Sequence, residues 1–136
     1  SCVHSQYRSG IILKLLWQGI SNYINIYKIK ILMGCASFHG TNPSKFKDEF
    51  SLLYESYRLP ENYDVKSLQD NEISFTKNIN HSNILNRLPP LIKGYLKAGG
   101  RVSENFYIDR DFETIDYCVI MFTEKIVSRY QNKFLN

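Results

Sequence analysis

Between residues 11 and 27, Ile12, Leu16, Ile20 and Ile24, joined by Leu13, Trp17, Tyr23 and Tyr27, recur at three- and four-residue spacing. Lys14, Gln18, Ser21, Asn22 and Asn25 fill the opposite side. This period predicts a core-facing amphipathic helix, with Ser9 placed to cap it. Ile29, Ile31, Leu32 and Met33 then form a short apolar run before Gly34, long enough for a buried strand. A helix followed by a buried strand suggests a parallel α/β arrangement, provided a strand also precedes the helix, of which Ser1 to Val3 would be only the last residues. Asn42-Pro43 supplies a cap and a first-turn proline for a second helix. That helix carries Phe46, Phe50, Leu53, Tyr54 and Tyr57 on one face and stops near Leu59-Pro60. Residues 61–87 are polar, rich in asparagine and weakly periodic, which predicts a long excursion with a short strand around 73–76. A short helix should run from Pro89 through Leu91, Ile92, Tyr95 and Leu96 until Gly99-Gly100 ends it. Two strands are expected at 101–108 and 114–122, the second alternating Ile115, Tyr117, Val119 and Met121 against Asp116, Cys118 and Ile120. A polar helical tail completes the pattern.

With 136 residues and 43% hydrophobic positions, the chain suits a single domain, 1–136. No apolar run approaches the roughly 18 residues a membrane-crossing helix needs, and the pattern reads as cytosolic. The net charge of +4 suits an acidic partner but comes without the Lys/Arg block of a nucleic-acid binder. Cys2, Cys35 and Cys118 are scattered, which predicts buried thiols in a reducing compartment rather than a disulfide framework or a zinc site. His4, His39 and His81 have no metal-ligand spacing, so no metal is expected.

The most informative local feature is HSQYRSGI, between a strand end and a helix start. Unpaired amides and the positive dipole end of a helix attract anions, Gly10 lets a bulky group approach the backbone, and Arg8 adds a charge-assisted contact. The same spacing equally suits an ordinary strand-to-helix turn with a surface arginine.

Several segments, taken in order, resemble one family. They are Ser1-Cys2-Val3-His4 with Tyr7-Arg8, Leu15-Leu16-Trp17 with Gly19, Gly34 to Phe38 with Gly40, Pro89 to Leu96, and Asp109 with Asp111-Phe112 and Asp116. They are similar to the bacterial L-ornithine N-alpha-acyltransferases, the hemolysin-like enzymes of ornithine lipid synthesis in the GNAT superfamily of N-acyltransferases. The resemblance covers nearly all of the chain except 61–87 and matches the family's C-terminal half. It implies a GNAT-like mixed sheet flanked by helices, α/β (α+β) in class, whose N-terminal strands are missing, so that an unpaired sheet edge and an apolar face await an N-terminal half or a second copy.

The resemblance also implies transfer of a (3-hydroxy)fatty acyl group from acyl carrier protein to the α-amino group of ornithine or a similar amino acid. No cofactor would be held permanently. The co-substrate is acyl-phosphopantetheine, on acyl carrier protein or coenzyme A, and the lipid product suggests peripheral contact with the inner membrane. Carried onto this sequence, the pantetheine strand is Cys2 and Val3, the phosphate loop is Gln6, Tyr7, Arg8, Ser9 and Gly10, and the opposing strand is Gly34, Cys35, Ala36 and Ser37. The loop departs from the superfamily's Q/R-x-x-G-x-G/A, because Ser9 stands where the first glycine belongs. LLYESYRL resembles the helix that carries a proton-donating tyrosine, which points to Tyr54, although an aromatic residue on that apolar stripe also suits the core. Glu49, Asp109 and Asp116 are candidates for the cationic side chain of ornithine. Arg87, Lys93, Lys97 and Arg101 could dock an acidic carrier protein or form a solvated helix face. Cys35 as a nucleophile, with His4 or His39 as base, is a further arrangement that direct transfer makes unnecessary. A non-catalytic remnant, or the same fold with another acceptor as in acyl-homoserine lactone synthases, also fits the pattern.

Overall fold

The computed structural model describes residues 3–63, 65–77 and 79–124. Ser1, Cys2 and the expected helical tail lie outside them. After a 3-10 turn at Ser5–Tyr7, helix α1 spans Gly10–Tyr27 and strand β1 spans Ile31–His39. Helix α2, Lys47–Leu52, is entered through a 3-10 turn at Pro43–Phe46 and left through a π turn at Leu53–Tyr57. Helices α3, His81–Arg87, and α4, Pro90–Lys97, precede β2, Arg101–Val102, β3, Tyr107–Asp109, and β4, Thr114–Phe122. The mixed α and β architecture expected from the resemblance is present. Its sheet, however, is antiparallel: β4 is central, flanked by β1 on one side and by β2 and β3 on the other. The parallel arrangement depended on a strand ahead of α1, and the described residues contain none.

Helix α1 begins as its sequence predicts, with Ser9 Oγ accepting from the Ile12 amide at 3.5 Å. Its burial differs from expectation. Ile24 is buried, Ile12, Leu16 and Trp17 are half-buried, and Leu13, Ile20, Tyr23 and Tyr27 are exposed. Strand β1 shows the same departure. The run before Gly34, expected to be buried, is open, with Met33 73% exposed, whereas Ala36 and Phe38 further along are buried. The difference follows from the face on which each side chain falls: Met33 lies with Cys35, Ser37 and His39 on the open face, whereas Ala36 and Phe38 lie on the inner one, where Phe38 packs against Phe46 and Phe50 of the second helical segment.

The core is an aromatic cluster beneath α2. Phe38, Phe50, Phe106 and Tyr117 are all buried, with ring centroids 5.0–6.3 Å apart in tilted and edge-on pairs. Tyr117 comes from β4, whose alternation matches expectation: Ile115, Tyr117, Val119 and Met121 point into the core. The strand expected over 101–108 is broken in two. Five residue steps separate Val102 from Tyr107, while only three separate their partners Val119 and Asp116. Ser103 causes the break by using its hydroxyl, in place of its carbonyl, to accept the Cys118 amide at 3.1 Å. The resulting bulge turns Phe106 into the core.

The expected strand at 73–76 does not form. The Thr76 amide donates to Ser51 Oγ at 2.7 Å, so it joins α2 rather than a ladder. The free edge of β3 is satisfied instead by Gln69, whose Oε1 accepts from the Ile108 amide at 2.8 Å while its Nε2 donates to the Ile108 carbonyl at 3.1 Å. Helix α3, within the polar excursion, was not expected. Asn80 caps it by accepting from the Asn83 amide.

Candidate functional site

The N-terminal turn is held by local bonds. His4 Nδ1 accepts from the Gln6 amide at 3.4 Å, the Ser9 amide donates to the Tyr7 carbonyl at 2.9 Å, and Arg8 Nε donates to the Val3 carbonyl at 3.1 Å. Gln6, Tyr7, Arg8, Ser9 and Gly10 are exposed and Val3 is half-buried. A side chain on Gly10 would meet nothing within 4 Å. The turn therefore presents open space at a helix N-terminus, with Arg8 folded back over its start.

Behind this turn, between α1, α4 and the sheet, lies an apolar cavity of about 160 Å³. Leu13, Leu16, Trp17 and Ile20 form one wall, Leu91 and Tyr95 another, and Leu32 to Cys35 with Val119 and Met121 form the floor. Gly34 helps to create it, because a Cβ there would also meet nothing within 4 Å. The structure thus divides the four expected donor-strand residues between two faces of β1: Gly34 opens into the cavity, Ala36 is buried in the core, Ser37 is exposed on the outer face, and Cys35, exposed on that face, also borders the cavity.

Residues directly opposite in a ladder share a face. Ser37 pairs with Asp116, Cys35 with Cys118 and His39 with Thr114, while Thr114 also pairs with Asp109 and Asp116 with Tyr107. The outer face therefore gathers Cys35, Ser37, Asp109 and Asp116. Asp109 is already engaged in its turn, Oδ1 accepting from the amides of Asp111 at 3.0 Å and Phe112 at 2.9 Å. Asp116 is half-buried, and its Oδ1 is buried without a hydrogen-bond partner among the described residues. His39 lies four residues beyond Cys35, about 13 Å along the strand, too far to serve as its base.

Glu49 lies apart from these carboxylates, on α2. It is 6% exposed and its Oε1 accepts from Arg87 Nη2 at 2.7 Å and Nε at 2.9 Å. That hydrogen bond and the charge of Glu49, with a smaller contribution from Asp48, hold the Arg87 guanidinium above its ordinary pKa. Arg87 is thus engaged within the fold, Lys93 Nζ donates to the Asn86 carbonyl at 2.9 Å, and Arg101 donates to the Gly100 carbonyl at 3.1 Å. Tyr54 lines a separate polar groove with Asp70, Asn71, Phe75 and Glu104, and no residue lines both this groove and the apolar cavity. Its Oη accepts from Arg58 Nη1 at 2.8 Å, and the guanidinium carbon sits 4.4 Å from the ring centroid.

Two features escaped the sequence reading. Cys35, expected to be buried, is exposed. Tyr117, read only as a core position, has a buried hydroxyl without a partner among the described residues, and burial pushes its phenol well above the ordinary 10.0. The first could have been found only from the face on which Cys35 falls, which depends on the ladder register.

No family profile and no solved structure matches the chain. Curated relatives do match. The chain is 37% identical over 134 residues to the L-ornithine N(alpha)-acyltransferase of Brucella abortus, covering 96% of this chain and 48% of that protein. It is 31% identical to the Rhodobacter capsulatus protein of the same name, covering 96% and 51%, and 32% identical to that of Rhizobium meliloti, covering 98% and 47%. The chain spans about half the length of the relatives it matches. Over that span it is similar to the bacterial L-ornithine N(alpha)-acyltransferases.

Proposed function

We propose that the chain supplies the acyl-donor half of an N-acyltransferase that moves a (3-hydroxy)fatty acyl group from acyl carrier protein to the α-amino group of ornithine, giving lyso-ornithine lipid. The observation that carries this reading is the 31–37% identity, across nearly the whole chain, to proteins named for ornithine N-acylation. The cavity beside Gly34 supports it, since an apolar slot next to the proposed donor strand suits an acyl-pantetheine arm. The phosphate of that arm is assigned to the exposed Arg8 guanidinium at the start of α1, since the amides of Gln6, Tyr7, Arg8 and Ser9 donate within the turn.

In the reaction, the neutral amine attacks the thioester carbonyl, the C–S bond breaks from the tetrahedral intermediate, and the departing thiolate takes up a proton as the nitrogen loses one. Amides near Cys2 and Val3 are the proposed oxyanion donors. Tyr54 is the proposed proton source: Arg58 donates to its oxygen, which leaves the hydroxyl hydrogen to give. This role requires the thioester end to reach the polar groove. Asp116, directly across from Ser37 and with an oxygen that has no partner among the described residues, is the proposed anchor for the acceptor's cationic side chain. Asp109 lies on the same face; Glu49, neutralised by Arg87, is the weakest of the three candidates.

The exposed apolar surface of α1 and β1, including Ile11 at 72% exposure and Met33, is the proposed seat of the remaining half of the enzyme. The matching assay supplies 3-hydroxyacyl carrier protein and ornithine to the chain with and without the other half of a relative, and follows acylornithine by mass spectrometry. Product in the combined sample supports the reading. Persistent absence of product, despite association of the two halves, favours a non-catalytic remnant.

A further inference from the structure

The ladder between β1 and β4 places two thiols side by side. Lys30 and Thr123, at one end, are joined by a Thr123 amide to Lys30 carbonyl bond of 3.0 Å, and Gly40 and Glu113, at the other, by a bond of 2.8 Å. Odd-numbered positions of β4 are therefore the hydrogen-bonded ones toward β1. Cys118, at an even position, turns both of its backbone groups the other way: its amide donates to Ser103 Oγ at 3.1 Å and its carbonyl accepts from the Ser103 amide at 2.9 Å. The Cys35–Cys118 pair is thus a non-hydrogen-bonded pair, the type whose Cα atoms stand about 4.5 Å apart with side chains closest. That spacing falls within the range a disulfide requires, about 4.4–6.8 Å. Cys35 is exposed and Cys118 half-buried, so one thiol is open to an external reagent and the other sits directly behind it.

We infer that Cys35 and Cys118 form a reversible cross-strand disulfide, a redox modification site on the outer face of the sheet whose oxidant is a small disulfide such as oxidised glutathione. In the first step the Cys35 thiolate attacks one glutathione sulfur, the S–S bond of glutathione breaks, and the departing thiolate takes up the proton released by Cys35. In the second, Cys118 loses its proton and attacks the Cys35 sulfur, expelling the second glutathione as a thiol. Two protein thiols and one oxidised glutathione yield one protein disulfide and two reduced glutathiones. Burial, and secondarily the neighbouring Cys35, push the Cys118 thiol up, which suits it to resolve rather than to initiate. The bridge would pin the β1–β4 pair beside the donor strand, but the proposal stands without any assignment of activity.

The test treats the purified chain with oxidised glutathione, blocks residual thiols with iodoacetamide, and maps peptides under non-reducing conditions. The expected product is a Cys35–Cys118 linked peptide, lost after dithiothreitol, in a protein that unfolds at a higher temperature than its reduced form. Cys118→Ser should instead retain a stable glutathione adduct on Cys35. A link from Cys35 to Cys2, glutathione retained on the unsubstituted chain, both thiols still open to iodoacetamide, or a lower unfolding temperature on oxidation would each overturn the inference.

Discussion

Tyr117 illustrates how a single buried atom sets testable behaviour. Its ring fills the aromatic core, but its hydroxyl has no partner among the described residues. A buried, unpaired polar group costs about 1–3 kcal/mol, so Tyr117→Phe is expected to stabilise the fold by about 1 kcal/mol in urea unfolding. The same burial raises the phenol above 10.0. A raised folded-state value means that the native form holds a proton the unfolded chain releases, so this contribution is intact below pH 10 and declines as the pH climbs above it. Titrating stability across pH 9 to 11 in the wild type and Tyr117→Phe should show the steeper alkaline loss in the wild type only. Glu49 makes the complementary point. Arg87→Gln strands a buried carboxylate and should destabilise, and adding Glu49→Gln should recover much of the loss, as a double-mutant cycle would record. On the outer face, Asp116→Asn is expected to raise the KM for ornithine about 10-fold or more while leaving kcat nearly unchanged in the reconstituted assay.

Among the elements, α4 was the most legible. Pro89 and Pro90 fix its start, and Gly99, at φ +96°, ends it with the amides of Gly99 and Gly100 donating to the Leu96 and Tyr95 carbonyls at 3.0 and 2.8 Å. A Cβ on Gly100 would stand 2.8 Å from the Tyr95 oxygen, so Gly100→Ala should cost about 1–3 kcal/mol, read as a lowered denaturation midpoint. Strand β4 was equally legible, because a central strand with one buried face writes its alternation plainly. The elements that were not legible owe their form to side chains distant in sequence. The strand expected at 73–76 lost its amide to Ser51, Gln69 took the edge of β3, and Ser103 broke a strand whose composition reads as continuous. Helix α3 was hidden because Ile84 and Leu85 are the only apolar residues among its seven.

For the whole molecule, the sequence pattern gave the right amphipathic helix at α1 and the wrong amount of cover. Periodicity reports which face is apolar, not what lies against it. The open side of α1 and β1 is where the proposed seat of a second half lies. The residues proposed for the site, in the turn, β1 and the carboxylates, came from family resemblance rather than from periodicity. The gathering of Asp109, Asp116, Ser37 and Cys35 on one face depends on antiparallel register, which a parallel expectation could not supply. The most direct test of the account is the rate of acylornithine formation by the chain combined with the other half of a relative, comparing wild type with Gly34→Leu. Open space around Gly34 should let the variant fold while the leucine fills the cavity, so the rate is predicted to fall at least about 10-fold. An unchanged rate in a folded variant that associates normally would contradict the placement of the acyl donor beside β1.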